Sequence, residues 1–225
     1  MILTFIEHDR GIISPYSLQL LTYLRPLAAK YNTLLKAVLI GQNIQSLTPE
    51  LSTYGLDCIF LIDDDNLENY NTEICVDGIL QLAEEKNPVL IIAAATDKGN
   101  EILSHIGARL NLPMSANTSD IELGDKNKLV RYRWGSSLLE ETFITGNPLL
   151  ITLALNLNKA EKISANTSEI EILIKLRQIQ CHDTPYKADW RVVSLIHKHN
   201  HSSSNAFVFA SRVVSTVGCR IRCGM

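Results

Sequence analysis

The sequence lacks the patterns by which phosphate, metal and membrane sites are most often found. It contains neither Gly-x-Gly-x-x-Gly nor Gly-x-x-x-x-Gly-Lys-Ser/Thr, so no standard phosphate-binding loop is indicated. Its five cysteines form no Cys-x-x-Cys pair, and we expect reduced thiols. The longest apolar runs, residues 89–95 and 149–155, have seven residues each, whereas a bilayer-spanning helix needs about 20. We therefore expect no membrane span.

The first residues also lack a targeting signal. Met1 leads directly into Ile2 and Leu3 with no basic region, and neither a small-residue cleavage site nor an Arg-rich transit sequence follows. The expected location of the protein is therefore the cytoplasm.

Acidic residues are absent from the last part of the sequence. All 24 Asp and Glu lie before Trp190, while five of the 21 Lys and Arg lie after it. The first 189 residues therefore carry 16 basic against 24 acidic groups, a net charge of −8. This charge argues against a nucleic-acid-binding surface, because phosphate contacts need clustered Lys and Arg.

Strand and helix patterns alternate over the first 113 residues. Short apolar runs predict strands at 2–6, 34–40, 58–62 and 89–95. Ser14-Pro15 and Thr48-Pro49 are cap-plus-proline helix starts. Helices are expected over about 15–31, from 49 to Gly55, over 72–86 and over 98–110. Four strand–helix units in succession predict an α/β fold with a parallel, doubly wound sheet and right-handed crossovers.

After Met114 the helical patterns stop. Residues 114–121, 128–133, 140–144 and 149–155 are extended segments, separated by turn signals at Gly124, Gly135 and Gly146. We expect them to form an antiparallel extension or a terminal meander on the same sheet. Residues 159–169 are expected to form a polar loop, and alternating charged and apolar residues over 169–176 predict an exposed edge strand.

Two loops at predicted carboxyl ends of strands are candidate ligand sites, because open parallel sheets bind ligands there. They are residues 7–11 and residues 96–100, the second of which leads into a helix N-terminus that can bind an anion. Neither carries a phosphate-loop motif, so we expect both to be solvated turns. No nucleophile is suitably spaced from His8, so we expect a hydrogen-bonded loop histidine there rather than a catalytic base.

Three histidines at alternating positions form the other candidate site. In a strand, His197, His199 and His201 would share one face and could bind zinc, nickel or copper. No carboxylate or cysteine lies nearby in the sequence to complete the four ligands of a structural zinc site. Cys219 and Cys223 do not form a four-ligand zinc pattern either. We therefore assign no metal to these residues.

Several segments, taken in order, match one known pattern. They are Ile6-Glu7-His8-Asp9, Ser14-Pro15-Tyr16-Ser17-Leu18-Gln19-Leu20-Leu21, Tyr54-Gly55-Leu56-Asp57, Ala93-Ala94-Ala95-Thr96-Asp97-Lys98-Gly99-Asn100-Glu101, Ala108-Arg109-Leu110-Asn111-Leu112-Pro113, Ser119-Asp120-Ile121 and Tyr132-Arg133-Trp134-Gly135. Their shared order over about residues 2–176 resembles the amino-terminal domain of the electron transfer flavoprotein alpha subunit.

The resemblance implies a fold and a function. It implies a domain of the adenine nucleotide alpha hydrolase-like type over residues 1–178, packed against a beta subunit in a heterodimer. FAD would be held mainly by a second, carboxy-terminal domain of the alpha subunit. The flavin would take electrons from dehydrogenases, such as those acting on acyl-CoA in fatty acid beta-oxidation, and pass them toward the quinone pool. Such a chain is an electron carrier subunit rather than a catalyst.

The sequence departs from the family pattern after residue 178. Residues 188–194 are similar to the strand that opens the flavin domain, but Leu195-Ile196-His197 follows where the family has a glycine-rich loop. Ser211 and Arg212 resemble the family's Gly-Ala-Ser-Arg segment, which implies that they contact FAD. Residues 179–225 are therefore expected to be a remnant of the FAD-binding domain, either truncated or disrupted by a frameshift near Ser194.

Two other functions stay open on the sequence. One is a nucleotide-binding regulatory module of the universal-stress type, in which residues 7–11 contact an adenine nucleotide. The other is a cofactor-free remnant that only binds a partner. Binding of ATP or AMP would favour the first, and a colourless heterodimer with a beta subunit would favour the second.

Overall fold

The computed structural model of the chain describes residues 1–63, 67, 70–163 and 169–173. Its α-helices are α1 (Pro15–Lys30), α2 (Thr48–Leu51), α3 (Thr72–Lys86) and α4 (Asp97–Leu110), and 3-10 turns at Ile44–Leu47 and Ser52–Tyr54 flank α2. Its strands are β1 (Ile2–Phe5), β2 (His8–Asp9), β3 (Ile12–Ile13), β4 (Leu35–Gly41), β5 (Cys58–Asp63), β6 (Leu90–Ala94), β7 (Met114–Glu122), β8 (Asn127–Arg133), β9 (Leu138–Ile144), β10 (Leu149–Leu153) and β11 (Glu169–Leu173). The two-residue strands β2 and β3 form a hairpin directly after β1.

The longer strands of the described residues form one nine-stranded sheet, in the order β11-β5-β4-β1-β6-β10-β7-β8-β9. The strands from β11 to β7 run parallel to one another. Strands β7, β8 and β9 then form an antiparallel meander. The predicted α/β fold, a parallel doubly wound sheet with an antiparallel extension, is confirmed.

The position of β10 differs from the prediction. The pattern over residues 149–155 predicts a further strand of the antiparallel extension, but β10 lies between β6 and β7 and runs parallel to both. All five residues of β10 are buried. A strand that is apolar at nearly every position needs cover on both faces, and the parallel centre of the sheet provides that cover.

Helices cover both faces of the parallel sheet. On one face, α1 buries Leu20, Leu21 and Leu24. On the other face, α3 and α4 bury Val76, Ile79, Leu82, Ile102, Leu103 and Ile106. Each fully buried side chain of this kind stabilises the fold by about 1.5–3 kcal/mol, so the two layers hold the loops at the sheet edge in place. Among the described residues, no helix has the length and apolar character to cross a bilayer. The cytoplasmic location expected from the sequence stays a prediction.

Strand β11 lies at one edge of the sheet, as its alternating sequence predicts. It pairs in parallel with β5, and Glu171 accepts hydrogen bonds from Lys86 at 2.8 and 3.1 Å. Residues 174–176, the end of the predicted strand, lie outside the described residues.

The two described cysteines are buried free thiols, as expected from their spacing. Cys58 lies within β5 and Cys75 within α3. Burial raises the pKa of the Cys75 thiol to about 11, so this thiol stays protonated at neutral pH. The other cysteines, Cys181, Cys219 and Cys223, lie outside the described residues.

Candidate functional site

A cavity of about 450 Å³ lies at the carboxyl edge of the parallel strands. Its walls are the hairpin after β1, the loop after β4 and the beginnings of α3 and α4. The polar residues that line it are Glu7, His8, Asp9, Arg10, Gln42, Asn43, Tyr70, Asn71 and Lys98. Ligands of open parallel sheets bind at this edge, so the first predicted loop, residues 7–11, does lie at a possible binding site.

Glu7 is a buried acid in the wall of this cavity, with 8% of its surface exposed. Its carboxylate accepts a hydrogen bond from the Thr96 hydroxyl, and its backbone N–H donates to the Ser17 hydroxyl at 2.9 Å. Burial raises the pKa of the Glu7 carboxyl, against the lowering effects of the Thr96 bond and the Lys98 charge. The prediction that residues 7–11 form a solvated turn is therefore wrong at Glu7.

Thr96 caps α4 and links this helix to Glu7. While its hydroxyl donates to the Glu7 carboxylate, it accepts a hydrogen bond from the Gly99 N–H at 3.0 Å. Gly99 is buried so closely on the end of β6 that a Cβ there would lie 2.0 Å from the Ala94 carbonyl oxygen. In the second predicted loop, residues 96–100, Gly99 is thus packed rather than solvated, while Asp97 is exposed. The Gly99 N–H, one of the groups at the start of α4 that could bind an anion, is already hydrogen-bonded to Thr96.

His8 packs against the end of β4. Its Nε2–H donates to the Ile40 carbonyl oxygen at 3.0 Å. Gly41 leaves room for the imidazole, because a Cβ at that position would lie 2.7 Å from two of the ring atoms. The prediction of a hydrogen-bonded loop histidine is confirmed, and the bond fixes one wall of the cavity.

Tyr70 and Lys98 form the rim of the cavity beside α3 and α4. The Lys98 Nζ atom lies 4.7 Å from the centre of the Tyr70 ring. The Tyr70 hydroxyl donates to Glu101 at 3.1 Å, and the Thr72 hydroxyl donates to the other Glu101 oxygen at 2.9 Å. Burial, together with the Glu101 charge, raises the pKa of Tyr70 to about 12, so its phenol stays neutral.

The charges of the cavity are mixed. Its lining carries two carboxylates, Glu7 and Asp9, and two cations, Arg10 and Lys98. The carboxylates would oppose the charge of a polyphosphate, so the lining suits a small polar ligand better. Within the part of the chain that the structure describes, no three His, Cys, Asp or Glu side chains are grouped as metal ligands.

The residues considered from the sequence as cofactor or metal contacts lie outside the described residues. Ser211 and Arg212 are implied by the resemblance to contact FAD, and this role stays a prediction. His197, His199 and His201, to which no metal was assigned, are also outside the described residues.

An exposed apolar surface lies on the antiparallel meander. Residues directly opposite one another on β8 and β9 share a face of the sheet, and Tyr132 pairs with Leu139 while Lys128 pairs with Phe143. We call the apolar residues of this face, Val130, Tyr132, Leu139 and Phe143, the meander face. Leu139 and Phe143 are 65% and 64% exposed.

The opposite face of the same hairpin is buried near its base and charged toward its tip. At the base, Leu129 and Ile144 belong to the apolar cluster under α1. Toward the tip, the Nε atoms of Arg131 and Arg133 donate to one oxygen of Glu140 at 2.7 and 2.6 Å. These two arginines hold the pKa of Glu140 at about 2. The apolar cluster and the ion pairs both fix the hairpin with the meander face turned outward.

Comparison with known proteins finds similarity over most of the chain. Residues 2–174 match the electron transfer flavoprotein domain. The electron transfer flavoprotein subunit alpha of Thermoanaerobacterium thermosaccharolyticum is 30% identical over 137 residues, which are 60% of this chain and 42% of that protein. The corresponding subunit of Syntrophomonas wolfei is 26% identical over 150 residues, or 66% of this chain and 46% of that protein.

A subunit of a larger enzyme is similar over a longer stretch. The lactate dehydrogenase (NAD(+),ferredoxin) subunit LctC of Acetobacterium woodii is 25% identical over 177 residues, 76% of this chain and 42% of that protein. The chain thus spans less than half the length of these three relatives. The domain match includes the cavity and the whole meander, and it confirms the resemblance drawn from the ordered segments. The chain belongs to the electron transfer flavoprotein domain family.

Proposed function

We propose that this chain is the amino-terminal part of an electron transfer flavoprotein alpha-type subunit, which works in electron transfer as a heterodimer with a beta-type subunit. The observation that carries the proposal is the family match over residues 2–174. Relatives named as alpha subunits support the choice of subunit. In this role the domain is a scaffold and carrier subunit rather than a catalyst.

The flavin of such a heterodimer would be FAD, and the described cavity does not fit it. FAD carries a pyrophosphate, whereas Glu7 and Asp9 place carboxylates in the lining. The Gly99 N–H, at the start of α4, is already bonded to Thr96. We therefore propose that FAD is held outside the described residues, where the sequence suggests Ser211 and Arg212 as contacts.

The proposal extends to the domain organisation. Residues 1–178 would be the scaffold domain, and residues 179–225 would be a truncated or disrupted remnant of the flavin domain. The sequence supports this division, because Leu195-Ile196-His197 stands where a glycine-rich loop is expected. Reading the coding DNA past codon 194 in all three frames tests it. A glycine-rich loop in another frame would indicate a disrupted flavin domain.

Co-expression with a beta-type subunit from the same genome tests the function. Electron transfer by this chain requires that the purified product contain both chains and show the visible absorption bands of bound FAD. A colourless heterodimer would contradict electron transfer by this chain and favour the cofactor-free alternative. Failure of the two chains to associate would contradict the heterodimer itself.

The electron donor is proposed as a flavin dehydrogenase, with acyl-CoA dehydrogenases as the first candidates and a quinone-reducing protein as the acceptor. A relative from Anaerotignum propionicum is named as the acryloyl-CoA reductase electron transfer subunit beta, which supports an acyl-CoA-linked redox partner, although a reductase accepts electrons from such a subunit. Reduction of the flavin-loaded heterodimer by an acyl-CoA dehydrogenase and its substrate, followed at the flavin band, tests the donor. Reduction by a lactate dehydrogenase instead would favour a role like that of the LctC relative.

A second candidate function is supported by the cavity itself. Its position at the carboxyl edge of β1 and β4, with Lys98 at the rim, is compatible with a regulatory module that binds an adenine nucleotide. Of the adenine nucleotides, AMP suits the mixed charges better than ATP. Titration of the chain with AMP, compared with a Lys98→Ala variant, tests this function. Heat of binding that is lost in the variant would favour the nucleotide module over the carrier subunit.

A further inference from the structure

Glu7 is a buried carboxylate without a charge partner among the described residues. None of the ion pairs in that part of the chain includes it, and the one hydrogen bond to its side chain comes from the Thr96 hydroxyl to Oε1. The fully enclosed side-chain oxygens without a hydrogen bond there are those of Thr4 and Asn158, so Glu7 Oε2 still reaches the cavity that this residue lines. A buried carboxylate is stabilised when a cation or an N–H donor pairs with it.

The cations of the cavity do not supply that partner. The charge of Lys98 opposes the rise in the pKa of Glu7, but its Nζ atom lies over the ring of Tyr70 and forms no ion pair with Glu7. Arg10 is exposed on the turn of the β2–β3 hairpin. The cavity therefore contains an acceptor to which the described residues bring no cation.

The cavity also has an apolar side. Its lining includes five buried apolar side chains, those of Phe5, Ile40, Ile44, Leu47 and Leu67. Apolar walls with a few placed polar groups are typical of sites for small organic molecules, and a volume of about 450 Å³ lies within the range of such sites. A ligand with a cationic end and an apolar body matches both parts of the lining.

We infer that the cavity is a binding site for a small organic amine, whose ammonium group pairs with Glu7 and whose apolar body packs on the buried apolar residues of the lining. The inference goes beyond the proposed carrier function and does not depend on it, because the whole lining lies within the described residues. It also differs from the adenine-nucleotide candidate, whose phosphate is an anion. Glu7 determines the specificity of this site, since its charge attracts a cation and repels an anion.

A metal ion fits the cavity less well than an amine. The lining has only two carboxylates, Glu7 and Asp9, and no three His, Cys, Asp or Glu side chains of the described residues are grouped as metal ligands. A bare cation such as Ca²⁺ takes about six to eight oxygen ligands. An ammonium group has three N–H donors and needs only a few acceptors, so it suits this lining.

Three probes of similar shape test the charge of the ligand. Phenethylamine, phenethyl alcohol and hydrocinnamate carry a cation, a neutral hydroxyl and an anion on similar phenylalkyl bodies. In NMR titrations of the isotope-labelled full chain, the amine should bind about tenfold to a hundredfold more tightly than the alcohol, and the carboxylate should not bind. The amine should shift the amide resonance of Gly99, because this N–H bonds to the Thr96 hydroxyl that contacts Glu7. The resonance of Gly124, in the turn after β7, should not move.

Glu7→Gln tests the residue, because it keeps the shape of the side chain and removes its charge. The variant should bind the amine about tenfold to a hundredfold more weakly and the alcohol with unchanged affinity. Glu84→Gln is the matched control, since Glu84 is an exposed carboxylate of α3 outside the lining, and it should leave the amine affinity unchanged. An unfolding midpoint no lower than that of the unmodified chain shows that the Glu7 variant is folded. The three probes test the inference on the unmodified chain even if that variant does not fold.

The contrary outcomes are distinct. Equal affinities for the amine and the alcohol overturn the inference, because the charge of the ligand then plays no part. Equal amine affinities of the Glu7 and Glu84 variants place the amine away from Glu7 and overturn it as well. Absence of amine binding overturns it too, and binding of AMP in that case makes an adenine nucleotide the occupant. The heterodimer and its flavin take no part in these titrations, so each of these outcomes leaves the proposed carrier function standing.

Discussion

Gly99 lies so close to Ala94 that a Cβ at residue 99 would stand 2.0 Å from the Ala94 carbonyl oxygen. The contact joins the first turn of α4 to the end of β6, and neither backbone can move without disturbing the other. A side chain at this position is therefore excluded by the packing of the helix on the sheet.

Gly99→Ala should lower the free energy of unfolding by about 1–3 kcal/mol, because the added methyl group overpacks a backbone contact. Alanine's better helix propensity, up to about 1 kcal/mol, offsets only part of this loss. Urea denaturation of the full chain measures the change. Gly124→Ala is the control, since a Cβ there meets nothing within 4 Å, and it should change stability by less than about 0.5 kcal/mol. Equal stability of the two variants would contradict the close approach.

Thr96→Val should destabilise the chain by about 1–2 kcal/mol. The variant loses the cap on the Gly99 N–H and leaves the buried Glu7 carboxylate without the Thr96 hydroxyl. Thr96→Ser keeps the hydroxyl and should stay within about 0.5 kcal/mol of the unmodified chain. Urea denaturation of both variants is the measurement, and a serine variant as unstable as the valine variant would argue against the hydrogen bonds as the cause.

Glu7→Gln should stabilise the chain at neutral pH. Burial raises the pKa of Glu7 in the folded state above its unfolded value. The folded state therefore holds the proton more tightly, and stability is lost as the pH rises through the folded pKa. Glutamine is neutral at every pH and has no such loss. The variant should therefore be more stable than the unmodified chain at pH 7. This difference in the free energy of unfolding should shrink as the pH falls from the folded pKa of Glu7 toward its unfolded pKa. Unfolding curves of both proteins over this pH range test the sign, and an advantage that grows on acidification would contradict it.

Glu140→Gln should destabilise the chain at neutral pH and have little effect near pH 2. Arg131 and Arg133 hold the folded pKa of Glu140 at about 2, so its stabilising contribution is present above the unfolded pKa and is lost as the pH falls toward 2. Glu140 is 39% exposed, so solvent screening limits the effect to about 0.5–1 kcal/mol. Thermal unfolding at pH 7 and pH 2 measures it. Glu141→Gln, which removes only the pair with Lys128, is the control and should cost less.

Much of the fold could be predicted because its signals are local. Pro15 after Ser14 predicted the start of α1, and the predicted range 72–86 is that of α3. The place of β10 could not be predicted this way. Its apolar run shows that both faces are covered, but it does not show which strands are its neighbours, and those lie far away in the sequence.

The site was predictable in position but not in its contacts. Residues 7–11 and 96–100 were expected at the carboxyl edge because they follow predicted strands. Their hydrogen bond joins Glu7 to Thr96 across 89 positions, and no spacing rule connects such residues. Tyr70 was missed for a different reason, since no motif and no strand or helix periodicity marks it. Its bond to Glu101 forms only when α3 and α4 pack side by side.

The position of β10 also sets an order on synthesis at the ribosome. Strand β7 is joined to the rest of the sheet by hydrogen bonds to β10, although β7 emerges about 30 residues earlier. The hairpin of β8 and β9 can close as soon as it is made, because its pairing is local. Pairing of β7 with the parallel sheet therefore cannot form until Leu149–Leu153 has emerged and filled the gap beside β6.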